Sequence, residues 1–242
     1  MSYYYQMHNE TFCSIYDTHF HKVLNKTSHE TLANYNNQDT LVPGGNYGDF
    51  YTHVNYHTIR KALSLLLETG KKDFLIVETG CAAHGTKSTL LFDKIANAFD
   101  GSVFSVDLDK KSVDETNRLT SDKTRVVHSN SLYFLPTLTT PIDFLYLDSY
   151  DVDFLNPLDS AKHHLKEFNI IKHLLHKNSV VLIDDTPISP EWLDNGKYCP
   201  IYAQYKSNFD PNMCGKGSLV NLELEKMGAT KVMHQYQTLW TI

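Results

Sequence analysis

From residue 73 to residue 183 the chain alternates short apolar runs with helical stretches, and this alternation narrows its possible folds more than any other feature. Phe74-Leu75-Ile76-Val77, Val103-Phe104-Ser105-Val106, Arg125-Val126-Val127-His128, Phe144-Leu145-Tyr146-Leu147 and Val180-Val181-Leu182-Ile183 read as strands. Continuous apolar runs of that length suit strands covered on both faces. Residues 86–99, 110–119, 132–138 and 158–176 read as helices or helical turns between them. The pattern predicts an α/β fold, a doubly wound and mostly parallel sheet with helices on both faces. The β-prone end from Thr230 to Ile242 predicts two closing strands, for seven in all.

The first 60 residues carry no such alternation. They predict an N-terminal helical or loop arm, residues 1–60, ahead of a core domain at 61–242. The arm is aromatic, with Tyr3, Tyr4, Tyr5, Phe12, Tyr16, Phe20, Tyr47, Phe50 and Tyr51, and Pro43 to Asp49 is a strong loop signal. Ile59, Leu63, Leu66 and Leu67 predict a helix over 57–68 that stops at Gly70. Two readings of the arm stand side by side: a lid or substrate wall over the active edge, or a segment packed on the core or on a second subunit of a homodimer.

Charge and composition exclude several classes. Lys and Arg number 22 against 28 Asp and Glu, a net charge of −6. A general nucleic-acid binder needs the opposite balance to displace counterions. No run approaches the roughly 18 apolar residues of a membrane span, and MSYYYQMHNE has neither the basic nor the apolar region of a secretory signal. Cys13, Cys81, Cys199 and Cys214 match no zinc or redox spacing. Free thiols and a cytoplasmic location are the expectation.

The residues just beyond each strand carry the chemistry. Glu78, Gly80, Gly85 and Ser88 come after the first, Asp107 after the second, and Ser129 and Asn130 after the third. Asp148, Ser149, Tyr150 and Asp151 come after the fourth, and Asp184 and Asp185 after the fifth. In a parallel sheet these ends share one edge, where ligands bind at the topological switch point. The stretch from Glu78 to Ser88 is neither GxGxxG nor a phosphate-gripping GxxxxGK[ST], because Thr86 precedes Lys87. Its glycines nevertheless allow close backbone approach to a ligand. Asp107 stands about 20 residues beyond this turn, where nucleotide-binding folds place an acid for ribose hydroxyls. The competing reading of Asp107 is a helix cap, a role Asp109 could equally fill.

The order Val77-Glu78-Thr79-Gly80 to Gly85, Val106-Asp107, Ser129-Asn130, Leu147-Asp148 and Ile183-Asp184-Asp185 resembles class I S-adenosylmethionine-dependent methyltransferases. Within them it resembles the metal-dependent catechol and macrocin-type O-methyltransferases. The resemblance spans residues 73–186. It implies that Glu78, Gly80 and Gly85 shape the methionine pocket, Ser88 binds the cofactor carboxylate and Asp107 holds the ribose. Asn130 would then lie near the adenine amine and Tyr150 on the adenine face. Asp148, Asp184 and Asp185 match the family's metal ligands. The turn is one residue longer between its glycines than the catechol-type pattern. Asp151 stands where that branch has its lysine base.

Three clustered carboxylates repel one another unless a cation lies among them. Oxygen ligands favour Mg²⁺ or another hard divalent cation. The resulting expectation is a Mg²⁺-dependent O-methyltransferase of small-molecule hydroxyls, EC 2.1.1, with no nucleic-acid or membrane partner. Asp148, Asp151 and His57 are the candidate catalytic groups. His53 and His57, four apart, form a weak second metal pair. His164 falls on the apolar stripe of its helix and predicts a packed core residue, with His163 solvated. The alternatives are a metal-independent methyltransferase, including one directed at nitrogen, and a non-catalytic nucleotide-binding module.

Overall fold

The computed structural model describes residues 9–20, 41–42, 52–81, 86–193 and 201–242. Helix α1 covers 9–20. Strands β1 (Leu41–Val42) and β2 (Thr52–His53) form an antiparallel ribbon, followed by α2 (Tyr56–Glu68). Then come β3 (Leu75–Thr79), α3 (Ser88–Phe99), β4 (Ser102–Asp107), α4 (Lys110–Leu119), β5 (Thr124–His128), α5 (Ser131–Phe134) and β6 (Ile142–Leu147). The remainder is α6 (Leu158–Ile171), β7 (Leu175–Ile183), α7 (Tyr202–Asn208), α8 (Ser218–Lys226), β8 (Thr230–His234) and β9 (Thr238–Thr241). The seven-stranded sheet runs β5-β4-β3-β6-β7-β9-β8. Only β9 runs against its neighbours. The order reverses between β3 and β6, which makes their carboxyl ends the switch point.

Strand periodicity divides the core in two. Ile76, Phe144, Tyr146, Val180 and Leu182 face one side with α1, α2 and α3. Leu75, Val77, Leu145, Leu147, Val181 and Ile183 face the other with Phe168 and Ile171 of α6 and Val220 and Leu224 of α8. Every residue of β3 and β6 is buried. Phe12, Tyr16 and Phe20 place α1 in the first of these cores, and α2 straddles residue 60. The Tyr16 ring packs edge-on against Tyr56 at 5.2 Å.

The spacing of 158–176 predicts one long helix, but the structure ends α6 at Ile171. A short turn over Lys172–Leu174 comes next, and Leu175 opens β7 beside Ile142. Strand pairing there overrides helical periodicity, so His176 belongs to the sheet and not the helix. Helix α7 has no counterpart among the sequence expectations, and α1 is a helical part of the expected arm whose bounds the sequence does not give. Cys13, Cys81 and Cys214 are free thiols, and Cys199 lies outside the described residues. No described helix is long and apolar enough to cross a membrane.

Candidate active site

A cleft of about 570 Å³ opens at the carboxyl edge. Its floor is the close approach of β3 and β6. Gly80 has φ +86°, and its N–H donates to Val106 O at 2.8 Å. A Cβ there would lie 2.5 Å from Asp148 O, so only glycine fits both the conformation and the contact.

On the β4–β5 side the polar groups are held by nearby backbone. Asp107 Oδ2 accepts from Cys81 N–H at 2.9 Å and Oδ1 from Asp109 N–H at 2.7 Å, and Asp107 lines the cleft. Asp109, not Asp107, caps α4, accepting from the N–H groups of Lys111 and Ser112. Asn130 caps α5 through Leu132 N–H at 2.9 Å and also lines the cleft. Tyr150, at φ +50° and 54% exposed, stacks on His163 with ring centres 5.1 Å apart. His163 is not solvated as expected. Its Nε2 lies 3.2 Å from Glu167 Oε1, and Glu167 also accepts from Ser149 and Thr79 hydroxyls. Burial pushes the Glu167 carboxyl up, but His163 and the surrounding donors outweigh it and leave it below the usual range. His164 is the packed histidine expected, with Nδ1 against Ser160 O.

Glu78 and Ser88 lie outside the lining, behind the wall. Glu78 is fully buried and accepts from Ser88 Oγ and Thr89 Oγ1 at 2.5 Å and Ser105 Oγ at 2.6 Å. Burial raises its pKa to about 7. The Ser88 hydroxyl is thus spent on anchoring α3 to the end of β3. Gly85 lies outside the described residues.

On the β6–β7 side Asp148, Asp184 and Asp185 do come together, around a lysine. Lys216 Nζ donates to Asp148 Oδ1 at 2.9 Å and Asp185 Oδ2 at 2.8 Å, and its side chain is 3% exposed. Tyr236 OH donates to the other Asp185 oxygen. Asp184 Oδ1 accepts from Gln237 Nε2 and Asp185 N–H, both at 2.9 Å. Its Oδ2 accepts from Tyr146 OH at 2.8 Å and Asn55 Nδ2 at 3.4 Å. Burial and Asp184 push the Asp148 carboxyl up, and burial and Asp185 do the same to Asp184. Burial would also raise Asp185, but Lys216 overcomes this and holds it low.

The Mg²⁺ site expected from the sequence finds no support in this geometry. An ammonium already lies between two of the carboxylates, and four donors saturate the third. Among the described residues no three acidic, histidine or cysteine side chains are arranged to hold a metal ion. The residues as arranged do not fit a divalent cation.

His53, weak in sequence terms, lines the cleft, whereas His57 does not. They share no helix face, because His53 ends β2 and His57 sits in the first turn of α2. Burial, then His19, lowers the His53 pKa to about 3. Its Nδ1 accepts from Asn55 N–H at 3.2 Å, which leaves the proton on Nε2. Among the described residues His53 Nε2 and Asn55 Oδ1 are buried without a hydrogen-bond partner, and both residues line the cleft. Asp151 is exposed at the rim. Sequence reasoning misses Lys216, Asn55, Tyr236 and Gln237. The signal for the first is Gly215-Lys216-Gly217, a lysine held between glycines in a stretch without periodicity.

No protein-family model matches the chain, and no curated protein matches it. Solved structures do. MycE methyltransferase from the mycinamycin biosynthetic pathway, in complex with Mg and SAH, superposes over 78% of this chain at 12% identity and a TM-score of 0.51. The chain spans about half of that protein, 49%. The O-methyltransferase NovP matches over 76% of this chain and 77% of its own at 13% identity and a TM-score of 0.48. N-methyltransferase NodS from Bradyrhizobium japonicum WM9 matches over 76% and 95% at 13% identity and a TM-score of 0.43. With its strand order and the overlap with MycE, the chain has the Rossmann-like fold of class I S-adenosylmethionine-dependent methyltransferases.

Proposed function

We propose that the chain is an S-adenosylmethionine-dependent methyltransferase acting on a small-molecule hydroxyl. The observation that carries this is Asp107, a carboxylate fixed by two backbone N–H groups with its face on the cleft beside Gly80. That arrangement fits a ribose diol, and the exposed face of Tyr150 fits adenine. MycE, whose fold the chain shares, holds SAH. When bound, the cofactor would supply an electrophilic methyl group on a sulfonium.

This chain's residues then divide the work. Asp107, Asn130 and Tyr150 hold and orient the adenosine. Residues 1–60 supply the acceptor wall through His53 and Asn55. His53 Nε2–H can donate to the acceptor oxygen, which leaves the hydroxyl's one proton for a base, and Asn55 Oδ1 can accept from a neighbouring donor of the acceptor molecule. Holding it in line for attack at ~3 Å is where most of the acceleration arises. Asp148, between Lys216 and Asp184, receives the proton at its carboxylate. No step runs through a metal. An amine acceptor is the second reading, favoured by the excess of carboxylates over the one ammonium, which contacts Asp148 and Asp185.

Calorimetry with S-adenosylhomocysteine tests the first part, and transfer of labelled methyl from S-adenosylmethionine to matched alcohol and amine panels tests the second. Absence of cofactor binding defeats the proposal. Methylated amines without methylated alcohols would install the second reading.

A further inference from the structure

The loop that carries Lys216 is bolted to the end of β7. Lys216 N–H donates to Asp185 O at 3.0 Å, and Gly217 N–H donates to Thr186 Oγ1 at 2.7 Å. A Cβ on Gly215 would lie 1.8 Å from Asp185 O, and one on Gly217 would lie 2.7 Å from Thr186 Oγ1. Gly215 is therefore required to bring this backbone so close, and Gly217 leaves room for the Thr186 side chain. The result is an ammonium delivered between the ends of β6 and β7, buried yet on the cleft wall.

We propose that Lys216 is a built-in substitute for a divalent cation: its ammonium fills the space between Asp148 and Asp185, excludes a metal ion and supplies the positive charge of the acceptor half. The proposal rests on the methyltransferase reading for its role in transfer. Its charge argument does not depend on that reading. A cation with two short contacts to carboxylates occupies the space between them and offsets part of the negative charge that would draw a metal there. Removing the ammonium should expose a site of hard oxygen ligands for Mn²⁺.

The test is Mn²⁺ titration followed by the electron paramagnetic resonance of the free ion. Wild type should show no specific site. Lys216→Met should gain one, on the order of tenfold tighter or more, and Mn²⁺ should raise the melting temperature of that variant alone. Adding Asp148→Asn to it should weaken the new site. A wild-type protein that binds one Mn²⁺ stoichiometrically, and loses it in Asp148→Asn, overturns the proposal. If Lys216→Met does not fold, the wild type decides: one specific Mn²⁺ site overturns the proposal, and none supports it. S-adenosylhomocysteine binding, measured on the same samples, separates the two readings. Its absence in wild type removes the methyl-transfer role, whereas tight wild-type Mn²⁺ removes the lysine substitute alone.

Discussion

In the β4–β5 half of the cleft, Asp107 and Asn130 take their hydrogen bonds from the backbone N–H groups of Cys81, Asp109 and Leu132. In the β6–β7 half, Asp148, Asp184 and Asp185 take theirs chiefly from side chains of Lys216, Tyr236, Gln237 and Asn55. Lys216 is 68 residues from Asp148, and Asn55 is 129 from Asp184. Backbone donors are present whatever the neighbouring side chains are. A carboxylate fixed by them survives most substitutions around it. Carboxylates fixed by remote side chains depend on every member of the group. The first half should therefore respond to mutation through ligand affinity and the second through stability.

Lys216→Met is the sharpest way to break that distinction. It leaves two buried carboxylates without their cation, which costs on the order of 3–5 kcal/mol. Denaturant unfolding should show this loss, and Lys216→Met/Asp185→Asn should recover part of it. Asp107→Asn should change stability by less than about 0.5 kcal/mol, as surface substitutions do. Equal losses in the two variants would erase the contrast.

The same division explains how much is legible in the sequence. Strands β3 to β7 and the residues just beyond them arise from local pattern, so Gly80, Asp107, Asn130 and the three aspartates are visible without a structure. Whether those aspartates meet a metal or an ammonium depends on a loop placed by tertiary contacts, which no local period encodes. His53 carries little weight in the sequence for the same reason. Its burial comes from β2 and from packing against Phe20, 5.8 Å away, in a segment with no regular alternation. The bounds of helix α1 escape sequence reasoning because its buried Phe12, Tyr16 and Phe20 merge with the other aromatics of the arm.

Glu78 sharpens the comparison from behind the cleft. It is buried like the aspartates, but its side-chain donors are neutral hydroxyls. Burial outweighs these donors and raises its pKa from 4.5 to about 7. The native state then holds a proton that the unfolded chain has lost. This contribution to stability is complete below pH 4.5 and disappears as pH rises through 7. A shift of that size corresponds to about 3 kcal/mol. Unfolding free energies measured from pH 4 to 8 should show wild type losing roughly that amount relative to Glu78→Gln. Parallel curves for the two proteins would mean that the hydroxyls stabilise the carboxylate fully.

Gly80→Ala should disturb both halves, because it stands at their junction. The added Cβ meets Asp148 O in a conformation that alanine disfavours. A stability loss of roughly 2 kcal/mol and weaker S-adenosylhomocysteine binding should appear together. Thermal unfolding and calorimetry on one preparation check this. Loss of binding with full stability would confine the glycine to the ligand-binding half.

Asp107→Ala should weaken S-adenosylhomocysteine by about 1.5–3 kcal/mol, the range of hydrogen bonds to a charged group, and lose some stability because the Cys81 and Asp109 N–H groups give up their acceptor. Calorimetry showing wild-type affinity would move the ribose elsewhere.

The smallest effect belongs to Tyr150. Its ring is half exposed and leans on His163, which Glu167 holds from below. The stack costs the fold little to lose, because one side of the Tyr150 ring already faces solvent. In the proposed reading its value lies in presenting an aromatic face to adenine, worth about 1 kcal/mol for a well-placed ring pair. Tyr150→Leu should therefore weaken S-adenosylhomocysteine about fivefold, with the melting temperature unchanged. Glu167→Gln should give part of the same loss through His163, since a neutral amide holds the imidazole less firmly. If Tyr150→Leu instead destabilises the protein while sparing affinity, the ring is a packing element. The ligand-binding half would then be as interdependent as the half built around Lys216.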